Sequence, residues 1–471
     1  MVSYTCFMNE PERQMERTNK NHFYRRVIAL MIPVLLQNGI TNVVNMLDNV
    51  MVGRVGTAQM TGVSVASQLI FIFNLTIFGA VSGAGIFGAQ FFGSGDTEGL
   101  RQTFRFKIIM VSVISLGAGA LFYFWGDSFI AMFLRGEGDP ALARVAAQSA
   151  RNYLLIMIIS LIPFALVQCW ASTLRETGRS ALPMAAGLVA MGVNLILNYF
   201  LIFGTFGFPQ LDESGAAIAT VISRVVEIAI VAAGTWATRK KGPFIVGAFR
   251  HFRIKLTVVK SVLAKGIPLM LNETLWASAL AVLNRYYSTR GLSVVAANNI
   301  NITFFNVFSV AFFSFSVSAG IVLGQMLGAG QTEEAKKAAY KMLLLSIGVS
   351  VVVGGSYAAI SGAVPHFYNT TAEVRSIATG LMLICAAAMP FESLANTEYF
   401  IIRSGGQAFI TFVFDSGFMW VLCVPVIVLL AKFTGLSIFW LYGTVQLLNV
   451  VKCLIGFIVL KSGRWAKKIV N

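Results

Sequence analysis

Asn38, Thr41, Asn45 and Asp48 follow one another at intervals of three, four and three residues inside an otherwise apolar stretch. With 3.6 residues per turn, those intervals line the four side chains on one face of a helix. Asp48 ends the stripe between apolar Leu47 and Val50. A charged side chain at the centre of a bilayer costs roughly 2.5–3.5 kcal/mol even on the lenient insertion scale, so it persists where it faces a cavity, pairs or acts. A carboxylate among amides and a hydroxyl can take up a proton or a small cation, and Asp48 is expected to bind H⁺ or Na⁺. The competing structural reading pairs it with Arg54 near the interface.

Other polar groups recur in apolar surroundings. Asn194 and Asn198 stand at i and i+4, and Gly215-Ala216-Ala217-Ile218-Ala219-Thr220 gives a small-residue helix start with one hydroxyl. The asparagines suit either a cavity or hydrogen bonds between helices. Arg224 and Glu227, at i and i+3, are expected to satisfy each other. Glu273 follows Pro268 by five residues, and Asn299, Thr303 and Asn306 share one helical face. Glu392, Glu398 and Asp415 add carboxylates further on, with Glu398 expected to lie outward or near the loop with Arg403.

Patterns that suggest enzymes lack their setting. Gly83-Ala84-Gly85-Ile86-Phe87-Gly88 fits G-x-G-x-x-G but lies inside an apolar helical stretch with no strand before it, so close helix packing explains it better than a dinucleotide. No Gly-Lys dipeptide is present, hence no P-loop. His22, His251 and His366 fall at or outside the ends of apolar segments. Cys6, Cys169, Cys385, Cys423 and Cys453 show neither a disulfide framework nor metal-ligand spacing. No enzyme is expected, and no cofactor beyond a transported H⁺ or Na⁺.

Composition says which elements hold these groups. Apolar residues make up 56% of the 471, charged residues 12%, and mean hydropathy is +0.74. A soluble domain carries about 25% charged residues. The chain therefore reads as an all-α integral membrane protein, since a β-barrel needs short alternating segments that are absent. Twelve transmembrane helices are expected, six per half, centred near residues 38, 75, 115, 162, 193, 226, 275, 310, 350, 385, 420 and 448. The net charge of +16 suggests nucleic acid less than topology. Lys and Arg concentrate in alternate loops, such as Arg101, Arg105 and Lys107, or Lys336, Lys337 and Lys341, which places both termini in the cytoplasm of a multi-pass cell-membrane protein. The first span follows a polar leader without a small-residue cleavage site and reads as retained.

The halves repeat each other. Ile32-Pro33, Gly56, Gly85, Gln90, Gly93, Gly95, Thr97 and Glu98 reappear as Ile267-Pro268, Gly291, Gly320, Gln325, Gly328, Gly330, Thr332 and Glu333, each 235 positions later. Beyond an indel the offset becomes 227, pairing Pro163 with Pro390 and Gly178 with Gly405. In that register Glu273 falls opposite Asn38, and Asp48 opposite Leu283, so the scaffolds agree while their acids differ. Two pseudo-symmetric six-helix lobes in the same order can rock about a shared centre. The expected division is a leader (1–25), an amino-terminal lobe (26–238), a basic linker (239–259), a carboxy-terminal lobe (260–461) and a tail (462–471).

The run Asp48-Asn49-Val50-Met51-Val52-Gly53-Arg54-Val55-Gly56, the Gly85–Thr97 segment, the Gly215–Thr220 segment and Arg403-Ser404-Gly405-Gly406 together resemble the multidrug and toxic compound extrusion (MATE) family, over about Arg25 to Arg464. The resemblance implies a two-lobed exporter coupling outward movement of organic cations to inward flow of Na⁺ or H⁺. Asp48 matches the family's first-helix acid, and Asn194 and Thr220 match polar members of the amino-lobe site of the DinF-like branch. Asn198 stands where that branch usually has Asp. Glu392 falls where the NorM-like branch has an acid, and Glu273 lies near that branch's seventh-helix Glu. The resemblance thus implies ion coupling at Asp48, Asn194, Asn198, Thr220, Glu273 and Glu392. A substrate cavity bordered by Asn38, Thr41, Asn45, Asn299, Thr303 and Asn306 is expected. The expected cargo is an amphipathic, cationic organic compound met by adaptable Met and Phe side chains, the partners are membrane lipid but no nucleic acid, and the chain is expected to act as a monomer. A lipid-linked saccharide flippase, which needs a more cationic centre, and a non-transporting membrane receptor or scaffold are the rival readings.

Overall fold

The computed structural model describes residues 10–53, 55–134, 140–240, 242, 244–250, 254–368 and 370–470. Arg54 and His251 therefore lie outside the described residues, as do the side chains of His22 and Asn45. Twelve long helices run through the described chain: α1 (Glu10–Gly53), α2 (Thr57–Ser94), α3 (Thr97–Phe133), α4 (Pro140–Glu176), α5 (Ala181–Phe203), α6 (Asp212–Ala237), α7 (Leu256–Ser288), α8 (Leu292–Gly328), α9 (Thr332–Ile360), α10 (Ala372–Ser404), α11 (Ala408–Phe433) and α12 (Ile438–Lys461).

Eleven of them, α2 to α12, are long and apolar enough to cross a membrane. Within the first, the described residues form a shorter apolar stretch, Val27–Asn42, which includes Asn38 and Thr41 of the polar stripe. Large apolar side chains such as Phe124 and Leu344 (both 71% exposed) face outward, as lipid-facing surfaces require. α1, α4, α7 and α10 each contain an interior proline, Pro33, Pro163, Pro268 and Pro390, in the two registers of the repeat.

The apolar core is divided in the same way as the sequence. One cluster draws on residues between Val52 and Val262 with Val470 added, and another on residues between Ala279 and Val445. Between them the seam is made by α1 and α2 from one side and α7, α8 and α9 from the other. Val27 and Leu30 of α1 pack with Phe315, Ala319 and Val322 of α8. α2 meets α7 backbone to backbone: a Cβ on Gly83 would lie 2.6 Å from the Gly266 Cα, and one on Gly79 would lie 2.9 Å from the Met270 Cα. Small residues at such crossings let helices gain contacts where lipid offers no hydrophobic drive.

α2, α4, α8 and α10 all end at one end of the bundle, which also carries the tail after α12; we call it the basic end. Gly95 and Gly330, with φ of 78° and 81°, turn the chain there in matching positions. Gly178 (φ 76°) is matched by Gly406 (φ 70°), not by Gly405, whose φ is −86°. Between Pro390 and its turn, α10 runs one residue longer than α4 does after Pro163, so the 227 register slips by one at this end.

Candidate functional site

Three helices of the first half bring Asp48, Asn194, Asn198 and Thr220 together. The Asn198 amide, on α5, donates to Asp48 Oδ1 at 2.7 Å and to Asn194 Oδ1 at 3.2 Å. Asn194 donates in turn to the Thr220 hydroxyl of α6 at 3.3 Å. Turning the Asn194 amide about replaces the oxygen facing Asp48 with the nitrogen, 3.3 and 3.2 Å from the two carboxylate oxygens, which is the better arrangement. Asn198 Oδ1 is buried and receives no donor among the described residues. Asp48 therefore faces protein, and its carboxylate sits among amides and a hydroxyl that suit a proton or a hard cation. Among the described residues no three His, Cys, Asp or Glu side chains cluster, so any cation here meets one carboxylate and neutral oxygens. Arg224 pairs with Glu227 at 2.7 Å, one turn along α6, as their spacing requires.

The second half builds a different network. Asn272, on α7, donates to Asp415 Oδ2 of α11 at 2.8 Å, and Lys452 of α12 pairs with Asp415 Oδ1 at 2.7 Å. α11 is wound as a π-helix over Val413–Gly417 and Met419–Cys423. There the Ser416 backbone N–H bonds Asn272 Oδ1 at 3.1 Å and its hydroxyl bonds the Asn272 carbonyl at 2.6 Å. Local π turns commonly mark functional positions. Next to this, Tyr399 donates to Glu273 at 2.9 Å and accepts from Arg403 at 3.0 Å, with Arg403 Nη1 3.6 Å from Glu273.

The Glu392 carboxylate makes no hydrogen bond or ion pair among the described residues: Asp415 takes Lys452, and the Glu392 backbone carbonyl accepts from Asn396 at 3.0 Å. Glu398 departs from expectation. Five residues apart on α10, Glu398 and Arg403 point to different faces, so Arg403 joins Tyr399, one turn away, while Glu398 is wholly buried against Gly456 with neither oxygen hydrogen-bonded. Lys107 is likewise no loop cation. It is fully buried, and its ammonium lies 2.6 and 2.8 Å from the two oxygens of Glu176 and within 3.3 Å of the Ser172 and Thr173 hydroxyls.

Between the halves lies a cavity of 260 Å³. Val34 and Asn38 of α1, Phe78 of α2, Phe313 of α8, and Arg175 and Arg403 on α4 and α10 border it. Asn38 and Thr41 also line a smaller recess against Ser309 and Phe313, beside which Asn42 donates to the Asn306 carbonyl at 3.3 Å. Asn299, Thr303 and Asn306 share an exposed face of α8, as their spacing predicts, but border neither cavity.

The cavity ends at the basic end, where α2 crosses α8. A Cβ on Gly93 would strike the Gln325 carbonyl oxygen, and one on Gly328 would strike that of Gln90. Gln90 donates to the carbonyls of Ser404 at 3.0 Å and Lys467 at 3.1 Å, and the Ile469 N–H bonds its oxygen at 2.8 Å. Gln325 donates to the Glu176 carbonyl at 2.6 Å.

The MatE family model matches residues 33–200 and 268–430, most of both halves. The chain belongs to the MATE family. As a MATE transporter it is not an enzyme, and it spans the membrane many times. It is 22% identical over 483 residues to the probable multidrug resistance protein NorM of Thermotoga maritima, covering 100% of this chain and 98% of that protein. Its identity to the protein of the same name in Bacillus licheniformis is also 22%, over 422 residues, with coverage of 88% and 90%. Its fold is that of a solved multidrug resistance MATE family transporter of the MOP superfamily in an outward-facing conformation: TM-score 0.83, 17% identity, 94% of this chain and 97% of the other.

Sequence reasoning missed the Lys107–Glu176 pair, Tyr399, Lys452 and the crossed glutamines. Only the glutamines left a signal, as a repeated pair.

Proposed function

We propose that this MATE transporter exports amphipathic organic compounds in exchange for H⁺ or Na⁺, by alternating access between lobes 26–238 and 260–461. The leader (1–25), the linker (239–259) and the tail (462–471) then lie in the cytoplasm with the basic end, which in this conformation is shut. The relatives in Thermotoga maritima and Bacillus licheniformis are named as multidrug resistance proteins, which supports this cargo class. Phe78, Phe313 and Phe400 give the central cavity apolar walls for a varied organic body.

The observation that carries the reading is the contact of Asp48 with Asn198 at 2.7 Å, in a nest made by three helices. A carboxylate so placed binds and releases a proton or Na⁺ as the surrounding helices rearrange. Protonating it removes the negative charge and turns one oxygen into a donor, so its bonds with the amides of Asn194 and Asn198 weaken and re-form, and the positions of α5 and α6 relative to α1 change with occupancy. With one acid in this nest, H⁺ is the favoured ion. Glu273, tied to Arg403, and Glu392 are secondary candidates for coupling in the other half. A cationic cargo finds no free carboxylate on the cavity wall among the described residues, because Lys107 holds Glu176.

Efflux from proteoliposomes under separately imposed pH and Na⁺ gradients tests this. A pH gradient is expected to drive export, and Asp48→Asn to abolish it with membrane levels unchanged. Wild-type export by Asp48→Asn, or export indifferent to both gradients, overturns the proposal.

A further inference from the structure

We propose that Arg175 and Arg403 form an anion subsite in the central cavity, so that the cargo carries a carboxylate, sulfonate or phosphate group on an apolar body. The inference rests on the export reading for calling the occupant cargo, and narrows its class. Arg175 sits in the last turn of α4 and Arg403 in the last turn of α10, one from each half. Both border the cavity, whose wall is otherwise mostly apolar.

The charges around them do not cancel locally. Glu176 is the carboxylate on this wall, and Lys107 holds both of its oxygens from behind at 2.6 and 2.8 Å, with Ser172 adding a further bond. The Arg175 side chain makes no hydrogen bond or ion pair among the described residues. Arg403 is 3% exposed, and its Nη1 serves Tyr399 and Glu273. The guanidinium lies 5.6 and 5.7 Å from the Tyr399 and Phe400 ring centres, and its Nη2 is buried with no hydrogen-bond acceptor among the described residues.

A simpler role exists for both side chains: a cation in the last turn offsets the negative end of a helix. That role asks only for charge near the helix end. It does not explain a guanidinium nitrogen sealed from water without a hydrogen-bond acceptor, a state that costs stability. An anionic group between the two side chains supplies the acceptor for Arg403 Nη2 and a partner for the Arg175 fork, whose planar donors match carboxylate and phosphate oxygens. Phe78, Phe313 and Phe400 then meet the apolar part.

Binding measured without any gradient separates this subsite from the export reading. The full chain in nanodiscs of zwitterionic lipid is titrated with dansylglycine, with its neutral methyl ester and with cationic dansylcadaverine, followed by dansyl fluorescence. Dansylglycine is expected to bind at least tenfold tighter than either. Arg175→Gln is expected to bring acid and ester level without changing the ester, and Arg175→Lys to keep most of the preference. Equal binding of acid and ester by the wild type overturns the subsite, and needs no variant to fold. An unchanged preference in Arg175→Gln also overturns it. Anionic phosphatidylglycerol in the nanodisc that displaces dansylglycine assigns the arginines to lipid phosphate and overturns an anionic cargo; no displacement supports it. If dansylglycine binds as expected while no gradient drives efflux, the subsite stands and the export reading fails.

Discussion

Gln90 and Gln325 cross the seam between the halves in opposite directions, each ending on the last turn of a helix in the other half. Gln90 of α2 donates to the Ser404 carbonyl of α10 at 3.0 Å, and Gln325 of α8 donates to the Glu176 carbonyl of α4 at 2.6 Å. The donors are 235 residues apart and the acceptors 228. Helix ends leave carbonyls without partners, and in a membrane such groups must be satisfied from another segment. Here that need is met across the interface, so the helix ends are fully bonded only while the basic end is shut. The tail joins the same knot, because Ile469 and Lys467 bond Gln90 through their backbone.

Breaking either crossed bond should favour opening at the basic end. A side-chain to backbone hydrogen bond contributes about 1 kcal/mol, which shifts a two-state equilibrium roughly fivefold. Gln90→Leu and Gln325→Leu are each expected to raise maleimide labelling of a cysteine placed at Ser82, on the cavity wall, by reagent supplied at the basic end. The double variant should exceed both singles. Gln90→Leu should show the larger effect, since it also frees the tail. Labelling equal to that of the parent in all three shows that the glutamines do not hold the closed state.

A methyl group where α2 crosses α8 should act more severely. Cβ atoms on Gly93 and Gly328 would collide with the backbone oxygens of Gln325 and Gln90, which no side-chain rotation relieves. Gly93→Ala and Gly328→Ala should therefore keep the basic end from shutting. Transport is expected to fall by at least tenfold with insertion preserved, and labelling at Ser82→Cys to rise. Gly95→Ala, two residues on, is strained by its φ of 78° but meets no neighbour, so it should cost some stability and leave the crossing intact.

Much of this arrangement could be read from residue order, because the repeat constrains both halves at once. Gly95 and Gly330 turn the chain alike, and the four interior prolines fall in register. The Asp48 nest was legible for a different reason: polar residues at helical spacing in an apolar segment have few places to point. The same reasoning failed for Lys107. Its neighbours Arg101 and Arg105 read as a loop cluster, and its partner Glu176 lies 69 residues away on another helix. Nor does local sequence announce the π turns of α11, in the first of which Asn272 of α7 takes the Ser416 N–H. Glycines of the G-x-G-x-x-G match make sense only in three dimensions: Gly83 abuts Gly266, while Gly85 and Gly88 leave room for the Glu176 carboxylate.

Asn198→Asp should change which ion the amino-half nest prefers. The substitution replaces a donor 2.7 Å from Asp48 with a second carboxylate. Two like charges so close must share a proton or hold a cation between them. Efflux by Asn198→Asp is expected to gain a dependence on an imposed Na⁺ gradient that the parent lacks, with Na⁺ raising thermal stability in detergent. Identical responses of both proteins to Na⁺ count against the nest as the ion site.

The Lys107–Glu176 pair predicts a stability effect independent of transport. Both side chains are almost wholly buried, at 0% and 3% exposure, with Ser172 and Thr173 completing the shell of the ammonium. Removing one partner of a buried pair strands the other charge and costs about 3–5 kcal/mol, whereas replacing both with apolar groups is often close to neutral. Lys107→Met alone and Glu176→Leu alone should each lower the unfolding temperature in detergent sharply. The double variant should recover most of that loss, provided the Glu176 backbone carbonyl keeps its bond from Gln325. Gly88→Ala offers a check from the opposite wall, since its Cβ would press on the same carboxylate. It should destabilise the parent protein and become milder once residue 176 is alanine. Additive losses in the Lys107/Glu176 cycle would mean that the two charges do not depend on each other.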